Sequence, residues 1–272
     1  MPKVSQLFSS SKPSSDFVPL AQLDDTESSE PCRQQKIPPV VFQTFVSRLV
    51  SVEHHQSVSV FRENNPDLAF RVFDDDAIDG YMEDIWGNHP IFDVYRQSLF
   101  PQMKSDIFRY CIVFDRGGYY IDINKAITEQ ITGLHDAQSA GVISFESNSS
   151  VMWPAGAVAK SIQHPDKVLL QWAFGFGQGH PILARTIDRI VGNSDWVRHR
   201  IFDSVRSAVV AFTGPGVFTA AVYDAVAAGE FDGVEQLGID FGARGVIRVP
   251  GSRTTPLPGT HYSRVKNASI LS

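Results

Sequence analysis

Apolar and polar positions fall into two alternating rhythms once the chain reaches Ile37-Pro38-Pro39. Val40-Val41-Phe42-Gln43-Thr44-Phe45 is a short, mostly apolar run that reads as a buried strand. A helical stretch over Val52 to Glu63 follows and closes at Asn64-Asn65-Pro66, because proline cannot continue a helix. Leu68 to Phe73 alternates as a second strand, and Asp74-Asp75-Asp76 supplies N-cap chemistry for a helix to about Trp86. Strand, helix, strand, helix predicts an α/β sheet with crossover helices.

The next segment is the most patterned. From Pro101 to Asp115, apolar residues recur at Ile107, Cys111 and Phe114, with Phe108 and Ile112 beside them, which predicts a deeply buried helix. Gly117-Gly118 ends it, since glycine tolerates the left-handed C′ conformation. Tyr119 to Asn124 then reads as a strand with Tyr119, Ile121 and Ile123 on one face and Tyr120, Asp122 and Asn124 on the other. Strands are also expected at Gly141 to Phe145, Val151 to Ala159 and Gln171 to Phe176. A helix should follow His180-Pro181 to about Val191, and another Thr213-Gly214-Pro215-Gly216, over Val217 to about Ala228. Val205 to Phe212 fits either element. The tail after Gly229 holds short strand-like pieces such as Gly245 to Val249.

Two clusters carry candidate chemistry. Asp106 and Arg109 are spaced i,i+3 and lie close on one helix face. A surface ion pair would contribute little. The apolar neighbours instead direct this pair toward an interior cleft, where carboxylate and guanidinium suit hydroxyl-rich or phosphorylated ligands. Asp122-Ile123-Asn124 ends a strand, and ligands of α/β sheets gather at the carboxyl ends of strands. Oxygens on alternate residues there can hold a hard divalent cation, although a plain strand-to-turn transition accounts for an isolated D-x-N equally well.

Together, Lys104-Ser105-Asp106-Ile107-Phe108-Arg109-Tyr110, Gly117-Gly118-Tyr119-Tyr120 and Asp122-Ile123-Asn124 resemble the signature of the DXD sugar-binding glycosyltransferases. The match is to glycosyltransferase family thirty-two and, more distantly, to the large clostridial glucosylating toxins. Ile37 to Thr44, Asn65-Pro66 with Phe73-Asp74-Asp75, Gly179-His180-Pro181 and Thr213 to Gly216 resemble further family motifs in the same order. The resemblance implies a single α/β domain of GT-A type, with a mixed central sheet flanked by helices. It also implies hexosyl transfer from a nucleotide-diphosphate sugar to a saccharide or lipid-linked saccharide acceptor, with retention at the anomeric carbon, as in polysaccharide biosynthesis. By the same resemblance Gln43, Thr44, Asp106, Arg109, Tyr120 and Asp122 are the donor set, and Asp122, Asp106 and Arg109 carry the chemistry. Asp122, Asn124 and His261 are the implied ligands of Mn²⁺ or Mg²⁺.

The chain departs from the family pattern at three places. Asn124 stands where the second Asp is usual, so one metal charge is lost and the cation is weakened or dispensable. Phe42 and Phe45 replace the usual His and Trp of the first strand. A catalytically weakened sugar-nucleotide-binding protein is therefore the alternative function. An Asp-based metal phosphohydrolase is a third reading, which leaves the S-D-x-x-R helix unexplained. Lys125 reads as a diphosphate-stabilising or solvated lysine, His180 as an acceptor-site border or a turn residue, and His54-His55 as ordinary helix positions.

Bulk properties narrow the setting. The 24 basic and 30 acidic residues give a net charge of −6, which disfavours nucleic acid as a partner. Cys32 and Cys111 form no CxxC pair, so a reducing compartment is expected. No run approaches the ~18 consecutive apolar residues of a membrane span, and the first residues lack the pattern of a signal peptide. The expected location is cytoplasmic, with peripheral contact at the inner membrane face where the acceptor is lipid-linked. Residues 1–34, rich in Ser, Asp, Glu and Gln, read as a disordered leader ahead of a glycosyltransferase domain over 35–272.

Overall fold

The computed structural model describes residues 17–19, 25–45, 49–149, 157–244, 246–252 and 262–272. The chain opens with β1 (Phe17–Pro19), β2 (Val40–Thr44) and β3 (Leu49–Ser51), of which β1 and β3 form a separate antiparallel pair. Helix α1 (Val52–Glu63) is capped by Ser51, whose hydroxyl accepts from the His54 amide. β4 (Ala69–Phe73) leads into α2 (Asp75–Trp86), where the Asp74 carboxylate accepts from the Ala77 amide. α3 (Pro90–Gln97) and α4 (Pro101–Arg116) precede β5 (Gly118–Ile121) and β6 (Lys125–Ile127). Next come β7 (Gly141–Phe145), α5 (Ala157–Lys160), β8 (Ala173–Phe176) and α6 (Pro181–Val197). α7 (Val205–Phe212), α8 (Pro215–Ala227), β9 (Val234–Ile239), α9 (Asp240–Ala243) and β10 (Val246–Arg248) complete the order.

Six strands form one mixed sheet in the order β4-β2-β5-β8-β7-β9. β2 runs parallel to β4 and β5, β8 runs antiparallel to β5 and β7, and β9 is parallel to β7. Two antiparallel steps restore direction, so β5 and β7 point the same way and end at the same edge. Period-two alternation splits the sheet between two cores. Phe42, Tyr120, Phe145, Phe174 and Phe176 join Phe108 and Phe218 of α4 and α8 in one. Val41, Tyr119, Ile121 and Val142 join Val58 and Phe61 of α1 in the other. The mixed α/β sheet flanked by helices is as the sequence predicts.

Gly117 and Gly118 carry the chain directly from α4 into β5, at φ of 66° and 109°. A Cβ at Gly118 would stand 2.7 Å from the Val40 carbonyl oxygen, so β2 and β5 could not pair there with a larger residue. That tight joint fixes how far α4 lies from the end of β5.

Several expectations change. β5 stops at Ile121, and Asp122 to Asn124 form a turn closed by the Lys125 amide on the Asp122 carbonyl at 2.9 Å. Val205 to Phe212 is helical. Residues 151–156 of the strand expected over Val151 to Ala159 lie outside the described residues, and Ala157–Lys160 is a short helix. Residues in the expected leader touch the body. Thr26 bridges Phe70 on the edge strand β4, and Arg71 pairs with Asp25 and Glu27. The helical stretch Val205–Ala227 is long and apolar enough by composition to cross a membrane, but most of it is buried inside the protein. It is two core helices, because Gly214 starts α8 as a separate element.

Candidate functional site

The site grows from α4. Its burial on both sides leaves no exposed face for Asp106 and Arg109, each only 7% exposed. Arg109 satisfies its guanidinium inside the protein. Its Nη2 meets Asp106 Oδ1 at 3.2 Å, and its Nη1 meets Asp122 Oδ1 at 3.5 Å and donates to the Gln171 carbonyl at 3.1 Å. The group lies over the Tyr120 ring, 4.4 Å from its centroid. Asp106 Oδ2 accepts from the Thr213 hydroxyl at 3.0 Å. The Gln171 amide donates to the Tyr110 hydroxyl at 2.7 Å and to the Thr213 carbonyl at 3.1 Å. The ion pair is thus one part of a closed polar network joining α4, the entry to β8 and the start of α8.

Electrostatics follow burial. Desolvation pushes the Asp106 carboxyl up to about 7, against the pull of Arg109 and the Thr213 hydroxyl. Desolvation also works against the charge on Arg109, but Tyr120, Asp122 and Asp106 together hold it above its ordinary value.

These residues open into a cleft of about 650 Å³ at the carboxyl ends of β2 and β5. Thr44, Asp75, Ser105, Asp106, Arg109, Asp122 and Asn124 line one half. Glu146, Gln171, Trp172, Arg206 and the Gly214–Pro215 corner line the other. An irregularity between β7 and β8 shapes that second half. From the Val142–Gly175 pair to the Phe145–Leu169 pair, β7 advances by three residues and the facing chain by six. The surplus residues bulge over the cleft floor and release the Gln171 and Trp172 carbonyls, which receive Arg109 and the Asp122 amide.

Asp106, Arg109, Thr44, Asp122 and Asn124, predicted from sequence, are brought to one cleft. Thr44 hydrogen-bonds Ser105 and the Tyr120 hydroxyl, each at 2.9 Å. Tyr120 is buried beneath Arg109 and reaches the cleft only through these partners. Gln43, expected in the donor set, is on the opposite face of β2. It is fully buried, its amide donates to the Ile121 carbonyl at 3.4 Å, and its oxygen accepts from Arg62 at 3.5 Å. His261 lies outside the described residues. Lys125 is half-buried over the Trp172 ring at 4.7 Å rather than solvated. His180 caps α6 and packs on Phe176, away from the cleft lining. His54 lies buried under the metal-type turn and hydrogen-bonds the Ile123 carbonyl at 3.1 Å.

Glu146, Gln171, Trp172, Arg206 and the Thr213 side chain were not singled out in the sequence. They sit on loops and helix ends whose meeting depends on tertiary packing. The alternation of β7 could have flagged Glu146 as the residue just beyond a fully buried strand.

A divalent cation is implied by the D-x-D-like turn. Among the described residues no group of three or more His, Cys, Asp or Glu side chains could hold one. The turn itself does fit. Among the described residues Asn124 Oδ1 is buried with no hydrogen-bond partner, a costly state for an amide oxygen unless a ligand engages it. The turn is held from both sides, by the Asp122 amide on the Trp172 carbonyl and by the Val249 amide on the Asn124 carbonyl. One carboxylate and one amide oxygen suit a hard cation that keeps its other positions for water and substrate oxygens.

Known proteins resemble this chain in sequence and in fold. Residues 51–140 match the family model of the glycosyltransferase sugar-binding region containing the DXD motif. The chain is 28% identical over 181 residues to an initiation-specific alpha-1,6-mannosyltransferase of Candida albicans, covering 60% of this chain and 46% of that protein. It is 24% identical over 210 residues to the enzyme of the same name from Schizosaccharomyces pombe, covering 74% and 51%. The chain thus spans about half the length of the curated relatives it matches. The solved structure of PaToxG glycosyltransferase superposes with a TM-score of 0.50 at 17% identity, covering 71% of this chain and 72% of that one, a likeness of fold.

Proposed function

We propose that this chain, which belongs to the DXD-motif glycosyltransferase family through residues 51–140, transfers a hexose from a nucleotide-diphosphate sugar to a saccharide or lipid-linked saccharide, with retention of anomeric configuration. The observation that carries the reading is the convergence of Asp106, Arg109 and Asp122 on one cleft at the carboxyl ends of parallel strands. A mannosyl donor is the first candidate, because both curated relatives are mannosyltransferases.

In this reading Asp106 and Arg109 bind donor-sugar hydroxyls, since a fixed carboxylate and guanidinium offer matched acceptors and donors. Asp122 stands between Arg109 and the turn, and orients the donor. Tyr120 supports Arg109 from below, and Thr44 fixes the Tyr120 hydroxyl. Asp122 and Asn124 would hold Mg²⁺ or Mn²⁺. That ion, when bound, supplies positive charge to the departing diphosphate. The chain's own donors are preorganised by burial, so little reorganisation accompanies charge development.

A panel of nucleotide sugars, assayed for transfer and slow donor hydrolysis with and without Mn²⁺, tests the proposal. Turnover of one donor class supports it. Saturable binding with no turnover under any condition favours the weakened sugar-nucleotide-binding protein that Asn124 suggests. Release of phosphate from simple esters without nucleotide binding overturns both.

A further inference from the structure

Ile201 and Trp196 are the two most exposed large apolar side chains among the described residues, at 70% and 57%. Both belong to the corner between α6 and α7, where Trp196 is the penultimate residue of α6. The Arg200 amide closes the turn that follows on the Val197 carbonyl at 3.2 Å. The Phe202 ring packs against Trp196 with 6.3 Å between centroids, and the Arg200 guanidinium lies over the indole at 4.1 Å. The C-terminal segment braces the corner from the side. Phe202 and Ala268 each donate an amide to the other's carbonyl, at 3.0 and 3.3 Å, and the Val205 amide donates to the Val265 carbonyl at 3.4 Å. The two apolar side chains are thus held out to solvent by fixed backbone.

Single exposed apolar side chains are ordinary, but an indole and an isoleucine on one braced corner mark a contact surface. The charge around them selects the partner. Residues 195–206 and 262–268 carry five basic side chains, Arg198, Arg200, Arg206, Arg264 and Lys266, against two acidic ones, Asp195 and Asp203. Asp195 lies 3.8 Å from Arg198. This local positive excess stands on a chain whose net charge is −6. A nucleic acid would use the charge and leave Ile201 in water. An anionic lipid surface uses both, because Ile201 and the indole enter the boundary of headgroups and acyl chains while the arginine heads stay among the lipid phosphates. We infer that the α6–α7 corner docks the protein on an anionic membrane surface. The rim of the cleft lies beside this corner, since Arg206 and Tyr262 line the cleft and belong to the same two segments. The docking stands independently of the transfer reading. Joined to it, the docking brings the cleft to the surface where a lipid-linked acceptor sits.

Co-sedimentation of the full chain with vesicles tests it, using phosphatidylcholine alone and phosphatidylcholine with phosphatidylglycerol in equal parts. The protein should bind the mixed vesicles at least about tenfold more tightly than the neutral ones, and raised salt should release it. Ile201→Asp should weaken that binding about tenfold or more, and Arg200→Gln about fivefold, the weight of one cation at an anionic surface. Both variants should keep the wild-type Tm and the wild-type affinity for GDP-mannose. Trp196→Phe should still bind, but without the blue shift of tryptophan emission that the wild type shows on the vesicles. No binding to the mixed vesicles overturns the inference. So does binding that Ile201→Asp leaves at the wild-type level, or a full blue shift in Trp196→Phe, since either puts the contact on another surface. A dimer in solution that Ile201→Asp dissociates also overturns it and gives the corner to a second copy of the chain. Vesicle binding by a protein that binds no nucleotide sugar leaves the docking standing and overturns the transfer reading alone.

Discussion

The two halves of the cleft are built differently. On the α4 side, Arg109 and Asp106 are almost fully buried, and Arg109 is held by two carboxylates, two carbonyls and a ring face. On the β7–α7 side, Glu146 and Arg206 line the cleft with no hydrogen bond or ion pair between them among the described residues. The first half suits a ligand part whose geometry never varies, such as an activated sugar. The second leaves charge to be satisfied by whatever hydroxyl-bearing molecule arrives. Rigidity where the reacting bond sits, and freedom where partners differ, is the division a group-transfer enzyme requires.

The largest effect should come from breaking the rigid half. Arg109→Ala strands Asp106 in the interior and should cost about 3–5 kcal/mol of stability, with loss of transfer, read by denaturant unfolding and turnover. Asp122→Ala should separate the two roles. Its side chain is 29% exposed and Arg109 keeps Asp106, so unfolding should barely change while turnover falls about 100-fold. Full activity in that variant would sink the role given to Asp122.

Asp106→Asn sharpens the comparison through pH. The folded carboxyl titrates near 7, above the ordinary Asp value near 4. The folded state therefore holds the proton more tightly, and wild-type stability falls as pH rises from about 4 through 7. Relative to Asp106→Asn, the wild-type Tm should drop across that window. A Tm gap that stays flat with pH would mean the carboxylate is ionised throughout. Asn124→Asp restores a charge at the turn and should tighten Mn²⁺ binding about tenfold, measured by metal titration of turnover. Thr44→Val removes two hydroxyl contacts at the edge of the rigid half and should cost only about 1 kcal/mol with a modest loss of rate.

The rigid half was legible in the sequence because it is local. Pro101 at the first turn, apolar residues at helical spacing and Gly117-Gly118 define α4, and three residues of separation put Arg109 beside Asp106. Gln43 was misplaced although the same alternation that separates Tyr119 from Tyr120 sets it with Val41, on the far face. α3 carried a readable signal, His89-Pro90, the same cap and N1 proline that His180-Pro181 gives α6. β9 carried none, since every residue in it is half-buried and no alternation survives. Gln171 and Thr213 could not be found by spacing, because α4 meets them across 62 and 107 residues of chain only after the sheet and helices pack, and Glu146 joins the same cleft lining only then.

Calorimetric titration with GDP-mannose and Mn²⁺, wild type against Asp122→Ala, tests the central claim most directly. The account predicts one saturable site in the wild type and at least about tenfold weaker binding in the variant. Equal affinities, or no binding of any nucleotide sugar by the wild type, would contradict it.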